Sequence, residues 1–177
     1  VLGFLANWLK MVLDLKPQML SRATFSDFGD VIEAEGAERI LINEGTTERF
    51  HDLANIDVES DGGHTLINIF RGQKRALPIE IKMVERHPLG SQAFIPLQNK
   101  PYLIVVAPVG DNVGPEDLHA FIADGTQGVN YKRDLWHHPL LVLEDNHNFL
   151  VVDRGGSGDN CTEHWFTDTQ GIAQIVL

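Results

Sequence analysis

Only one cysteine occurs in 177 residues, and no Cys-x-x-Cys pair is present. An intrachain disulfide and a cysteine-based zinc site are excluded, and a reducing compartment fits the chain. Cys161 stands near a Gly-rich tail with nothing beside it to lower its pKa, so it reads as an ordinary side chain rather than a nucleophile. Positive charge is also scarce. Fourteen Lys and Arg face 25 Asp and Glu, the formal net charge is −11, and the basic residues never form a run. Such a chain repels phosphate backbones, so nucleic acid is not an expected partner. A small anionic substrate would need Arg, Lys or His to reverse that field locally.

No apolar run reaches the ~20 residues that a membrane-spanning helix needs. The oiliest stretch holds Leu2, Phe4, Leu5, Trp8, Leu9, Val12, Leu13 and Leu15, but Asn7, Lys10 and Asp14 interrupt it. No basic leader with a small-residue cleavage site accompanies it, and its spacing predicts an amphipathic helix instead. Met11 makes a natural start, so residues 1–10 read as an N-terminal extension and 11–177 as one domain with enough apolar content, 43% of all residues, for a core. Helix signals are few after that. Thr24 to Ile32 could hold a short helix with Phe25, Phe28 and Ile32 on one face, weakened by Gly29, and Glu116 to His119 a single turn after Gly114-Pro115.

What the chain does have is short apolar or alternating runs broken by Gly, Pro, Asn and Asp. Leu66 to Phe70 is one, and Leu77, Ile79, Ile81 and Met83 alternate with Pro78, Glu80 and Lys82, which predicts a half-buried strand ending near His87. Further runs lie at Gln92 to Leu97, Tyr102 to Val109, Leu118 to Ala123, Gly128 to Tyr131, Leu140 to Glu144 and Phe149 to Asp153. Asn43 to Leu53 is polar and reads as a loop or edge strand. Strands at this spacing predict a mainly β sandwich or small barrel, with Val105, Val106 and Phe121 in its core.

Histidines mark the candidate chemistry. His87 ends a strand, Pro88-Leu89-Gly90 turns the chain, and Gln92 begins the next strand, so an imidazole and an amide can be aimed into one space. His137-His138 lies between Trp136 and Pro139; adjacent side chains on a strand point to opposite faces, so at most one of the pair faces a pocket. Trp136 and Tyr131 could wall that pocket from water. Arg71, after Leu66 to Phe70, and Lys82 are candidate carboxylate anchors, with Arg preferred for its planar fork. Asp153-Arg154-Gly155-Gly156-Ser157-Gly158 lacks the strand and helix around it that a phosphate loop requires.

At these residues the sequence resembles the ureidoglycolate lyases of allantoin degradation. The matching segments are Asn43 to Ala54 with Glu-Arg-Phe-His-Asp-Leu-Ala, Leu66 to Arg71, Glu85 to Pro96, Gln127 to Leu140, and Asp153 to Ser157, within a resemblance from about Met11 to Cys161. It implies a cupin-like double-stranded β-helix of the jelly-roll kind, usually a homodimer, acting in the cytoplasm on (S)-ureidoglycolate to give glyoxylate and urea. That elimination needs a base for the hydroxyl proton, a donor for the departing urea nitrogen and a holder for the carboxylate. The expected parts are His87 and His137 as acid and base, Arg71 as anchor, and Gln92, Asn130 and Tyr131 to orient the ureido end, with His138 and Lys82 as further substrate contacts.

Typical metal-binding cupins carry His-x-His, a nearby Glu and a later His. Here position 85 is Glu, Gln92 fills the usual Glu place, and only Trp-His-His supplies a later histidine. A metal-independent reaction is the expectation; Glu85, His87 and His137 could form a partial site for Ni²⁺ or Zn²⁺. The competing expectations are a metal-dependent cupin oxygenase or isomerase, a non-catalytic cupin that binds a small acid, and an amidohydrolase that releases ammonia from the same substrate through an activated water.

Overall fold

A computed structural model describes residues 12–177. Two β-sheets pack face to face. One has five strands in the order Gly29–Ile32, Gly128–Tyr131, Gln92–Pro96, His147–Gly155, His64–Gly72. The other runs Thr162–Trp165, Met83–Arg86, Trp136–His137, Tyr102–Ala107, His119–Ala123, Gln18–Met19, with Leu141–Val142 also paired to Tyr102–Ala107. Phe94, Val129, Tyr131, Phe149 and Val151 of the first sheet meet Tyr102, Ile104, Val106 and Phe121 of the second in one core cluster. A third sheet, Val12–Leu15, Ile172–Ile175, Ile79–Ile81, packs with Leu103, Val105 and Ala107 on the outer side.

This layering explains the run Tyr102–Ala107, all six of whose residues are buried. A strand covered on both faces reads as continuous apolar sequence rather than alternation. Where only one face is covered, alternation survives: Ile79, Ile81 and Met83 are buried while Glu80 and Lys82 are exposed. The expected single strand is two, Ile79–Ile81 and Met83–Arg86, because the chain leaves the third sheet at Lys82 and joins the second. Val105, Val106 and Phe121 are core residues, as expected. The architecture is the mainly β, cupin-like sandwich that the sequence predicted, with one four-residue α-helix and short 3₁₀ turns among the described residues.

Three expectations need correction. The oily N-terminal segment is not helical where it is described: Val12–Leu15 is a strand lying parallel to Ile172–Ile175, with Gln174 Nε2 donating to Asp14 Oδ1 at 2.8 Å, while residues 1–11 lie outside the described residues. Backbone pairing outweighs a periodicity that only Leu15 uses for burial. The helix expected over Thr24 to Ile32 is Arg22–Phe25 alone, N-capped by Ser21, and Gly29–Ile32 is a strand. Gly29 is what permits this, since a Cβ there would lie 1.9 Å from the Asn130 carbonyl oxygen. Finally, the polar segment expected as a loop or edge strand leading into the sheet is an edge strand, but among the described residues Thr47–His51 pairs with Glu38–Ile42 alone, so it forms a hairpin of its own and does not join a main sheet.

Candidate active site

The site is assembled from four strands of the sandwich. Glu85 lies directly opposite His137 in the register of Met83–Arg86 with Trp136–His137, and Gln92 opposite Tyr131 in that of Gln92–Pro96 with Gly128–Tyr131. Side chains paired in this way share a face, so all four can point between the sheets. The turn at Pro88-Leu89-Gly90 brings His87 round to meet Gln92, its ring Nε2 3.2 Å from the Gln92 Oε1. Two bonds hold the turn: the Leu89 amide donates to Asn160 Oδ1 at 2.8 Å and the Ser91 amide to the Asp57 carbonyl at 2.8 Å.

Both imidazoles are oriented through Nδ1. His87 Nδ1 lies 2.6 Å from the Asn160 carbonyl oxygen, and His137 Nδ1 2.9 Å from that of Leu135. A carbonyl only accepts, so each Nδ1 carries the hydrogen; His137 Nε2 is left open, while His87 Nε2 faces the Gln92 side-chain amide. The two Nε2 atoms converge on one oxygen: Glu85 Oε1 is 4.0 Å from His87 and 3.6 Å from His137. His137 is buried and its Nε2 has no hydrogen-bond partner. Tyr131 packs on its ring, centroids 4.6 Å apart and planes 31° apart.

Burial works against the Glu85 charge, but the His137 imidazole beside it, with smaller help from His87, outweighs burial and holds the carboxyl below its usual value. The His87 pKa is lowered, chiefly by burial and then by His137, against the opposing pull of the Asn160 carbonyl and Glu85. Burial also raises the Tyr131 hydroxyl far above the neutral range, so it stays protonated. A cavity of about 290 Å³ opens onto this cluster, lined by His87, Ser91, Gln92, Asp153, Arg154, Asn160 and Cys161.

Of the residues singled out in the sequence, the structure thus brings together Glu85, His87, Gln92, Tyr131 and His137. The rest lie elsewhere. Arg71 is exposed and its Nε donates to Asn148 Oδ1 at 2.7 Å, five residues along its strand from Leu66, the partner of Asp153; at ~3.4 Å per residue that is far outside contact. Lys82 is exposed beside Glu80, 3.6 Å away. Asn130 has the opposite parity to Tyr131, and its amide nitrogen is used by Asp30 Oδ2 and the Asn55 carbonyl, both at 2.9 Å. His138 is buried with Nδ1 2.7 Å from the Pro139 carbonyl and makes no hydrogen bond to the cluster among the described residues. Trp136 turns away too, its face covered by Arg86 at 4.5 Å. Sequence reasoning missed Asp153, Arg154 and Asn160 as cavity residues. Asp153 and Arg154 stood inside a matching segment, and that position was the only available signal.

A cupin-like sandwich holding two imidazoles and a carboxylate beside a small polar cavity defines an enzyme that acts on a small molecule. The family profile described as Ureidoglycolate lyase matches residues 12–173. The ureidoglycolate lyase of Burkholderia mallei (strain NCTC 10229) is 55% identical over 167 residues, covering 91% of this chain and 96% of its own. That of Brucella ovis is 56% identical over 154 residues, covering 87% and 90%, and that of Pseudomonas paraeruginosa 51% identical over 158 residues, covering 89% and 94%. The chain belongs to the ureidoglycolate lyase family.

Proposed function

We propose that this chain is a carbon–nitrogen lyase that converts ureidoglycolate to glyoxylate and urea, with Glu85, His87 and His137 as its proton-transfer centre. The observation that carries the reading is the convergence of two Nε2 atoms on one Glu85 oxygen, one of them from His87, which lines the cavity. His87, which lines the cavity, takes the hydroxyl proton of the substrate. The oxygen electrons form the aldehyde C=O, the C–N bond breaks with its pair going to nitrogen, and His137 returns a proton to the departing urea. Atoms balance without water. Glu85 stabilises the imidazolium on whichever ring holds the proton, Gln92 meets the ureido end, and Tyr131 fixes the His137 ring by packing.

A second reading is favoured by the orphaned His137 Nε2. The ligand atoms of Glu85, His87 and His137 lie within 4.8 Å of one another and both Nδ1 hydrogens are tied to carbonyls, so the triad fits a divalent ion such as Ni²⁺ or Zn²⁺ once His87 Nε2 exchanges its Gln92 contact for the ion. Bound there, the ion would supply a Lewis acid for the substrate oxygens. One assay separates the readings. Chelator-treated protein given racemic ureidoglycolate is expected to form glyoxylate and urea, with ammonia appearing only after urease is added. Ammonia without urease would favour an amidohydrolase, and activity lost to chelator and restored by one metal would establish the second reading.

The proposal includes a cytoplasmic location and no nucleic-acid partner, which the single cysteine and the charge of −11 support. No described helix is long and apolar enough to cross a membrane. It also includes a homodimer. The outer strand His64–Gly72 leaves Ile67 71% and Ile69 57% exposed, an apolar edge that a two-fold contact would cover. The expected mass in solution by light scattering is twice the 19.7 kDa of one chain, and a monomer at all concentrations would exclude the contact.

A further inference from the structure

With Arg71 displaced from the site, the substrate carboxylate lacks a cation. We propose that Arg154 is the carboxylate anchor and that Asp153 beside it receives the ureido N–H groups, so the cavity has a cationic and an anionic end matched to the two ends of ureidoglycolate. The inference rests on the lyase reading. Arg154 is 6% exposed and lines the cavity that reaches His87 and Gln92. Its Nε and Nη2 donate to the Ser60 carbonyl at 3.3 and 3.0 Å, Nη2 also to Asp61 at 3.3 Å, and Nη1 to Ser157 at 3.1 Å. Every one of those acceptors is a neutral carbonyl. Among the described residues no carboxylate lies within ion-pair distance, in contrast to Arg133, held by Asp57 at 2.7 Å, and Arg86, held by Asp134 at 3.4 Å.

A buried guanidinium without a counter-charge is costly, and an anion entering the cavity removes that cost. Nη1 carries two hydrogens and gives one to Ser157, which leaves the other for a ligand. The side chain is also held in place before substrate arrives: the Ser60–Gly63 turn closes over it, and a Cβ on Gly63 would stand 2.4 Å from its Nε. Asp153 is complementary. Asn68 Nδ2 donates to its Oδ1 at 3.0 Å, while its Oδ2 receives only a long 3.5 Å contact from Gln92 Nε2 and keeps capacity for a ureido N–H. The site therefore selects an α-carboxylate on one side and a urea on the other, in a protein whose overall charge disfavours anions.

The test compares two substrates. N-(Hydroxymethyl)urea has the same hemiaminal without the carboxylate and collapses to formaldehyde and urea through the same bond changes. Arg154→Gln is expected to lower the preference in kcat/KM for ureidoglycolate over hydroxymethylurea by about 10- to 100-fold, mainly through KM, the worth of a charged hydrogen-bonded contact. Arg154→Lys should fall between, and Arg71→Gln should match the parent. Should Arg154→Gln fail to fold, the parent protein decides alone: oxamate is expected to inhibit competitively and neutral oxamide not to inhibit. The proposal is overturned by an unchanged preference in folded Arg154→Gln, by equal loss on both substrates, or by oxamide inhibiting as well as oxamate. Failure of the lyase reading looks different, because the parent then releases urea from neither substrate.

Discussion

Replacing His87 and His137 together by Ala is expected to lower kcat by about 10²- to 10⁴-fold, the usual worth of positioned acid–base groups, with KM changed far less. The two rings share one Glu85 oxygen and their centroids lie 5.1 Å apart, so they act as a unit and each single variant should lose nearly as much as the double. Losing His137 leaves Glu85 without its nearer partner, so a thermal melt must accompany the kinetics. A double variant that melts like the parent and keeps its turnover number would end the assignment.

The pH profile tests the same unit. His87 acts as base only when neutral, and burial together with His137 moves its pKa below the ordinary imidazole value. Activity is therefore expected to hold down through the ordinary imidazole range and to fall only below it. An acid limb, with activity falling as pH drops, centred above the ordinary value would contradict His87 as the base.

Acid is expected to cost stability through a different histidine. Burial, the leading cause, drives the His138 pKa from 6.5 to about 4, against a weaker opposing pull from the Pro139 carbonyl. In this pH window the unfolded chain binds a proton that the folded chain refuses, so stability rises with pH. The penalty begins as pH falls below 6.5 and is complete below about 4, where it amounts to about 3 kcal/mol. The pKa of His147, fully buried against Phe149 with ring centroids 4.4 Å apart, is also lowered by burial and adds in the same direction. Denaturant midpoints measured between pH 7 and 4 should fall more steeply in the parent than in His138→Gln. Equal slopes would show that His138 titrates normally in the folded state.

Much of this was legible in the residues. The strands Gly128–Tyr131 and Gln92–Pro96 follow their apolar runs because each run is short and bounded by turn residues. The parity rule that allowed only one of His137 and His138 into the pocket needs nothing beyond strand geometry, and His137 is the one that meets Glu85 and His87. The Pro88-Leu89-Gly90 turn likewise fixed that His87 and Gln92 meet. Arg71 could not be placed in the same way. It sits on a strand the sequence located well, but which end of that strand approaches the cavity depends on its pairing with His147–Gly155, a partner about eighty positions away. Val12–Leu15 failed for the same kind of reason, its partner Ile172–Ile175 lying at the other end of the chain.

Local sequence determined the mainly β class, the alternation that buries Ile79, Ile81 and Met83, the excess of negative charge, and the histidines that carry the proposed chemistry. These are properties of short segments, set by the two-residue period of a strand and the backbone freedom of turn residues. Only the tertiary structure decided that one Glu85 oxygen lies near both imidazoles, that Asn160 orients His87, and that the cation at the cavity is Arg154 and not Arg71. Each of those depends on long-range register between strands and on which neutral groups surround a buried charge, and no local pattern of residues encodes either.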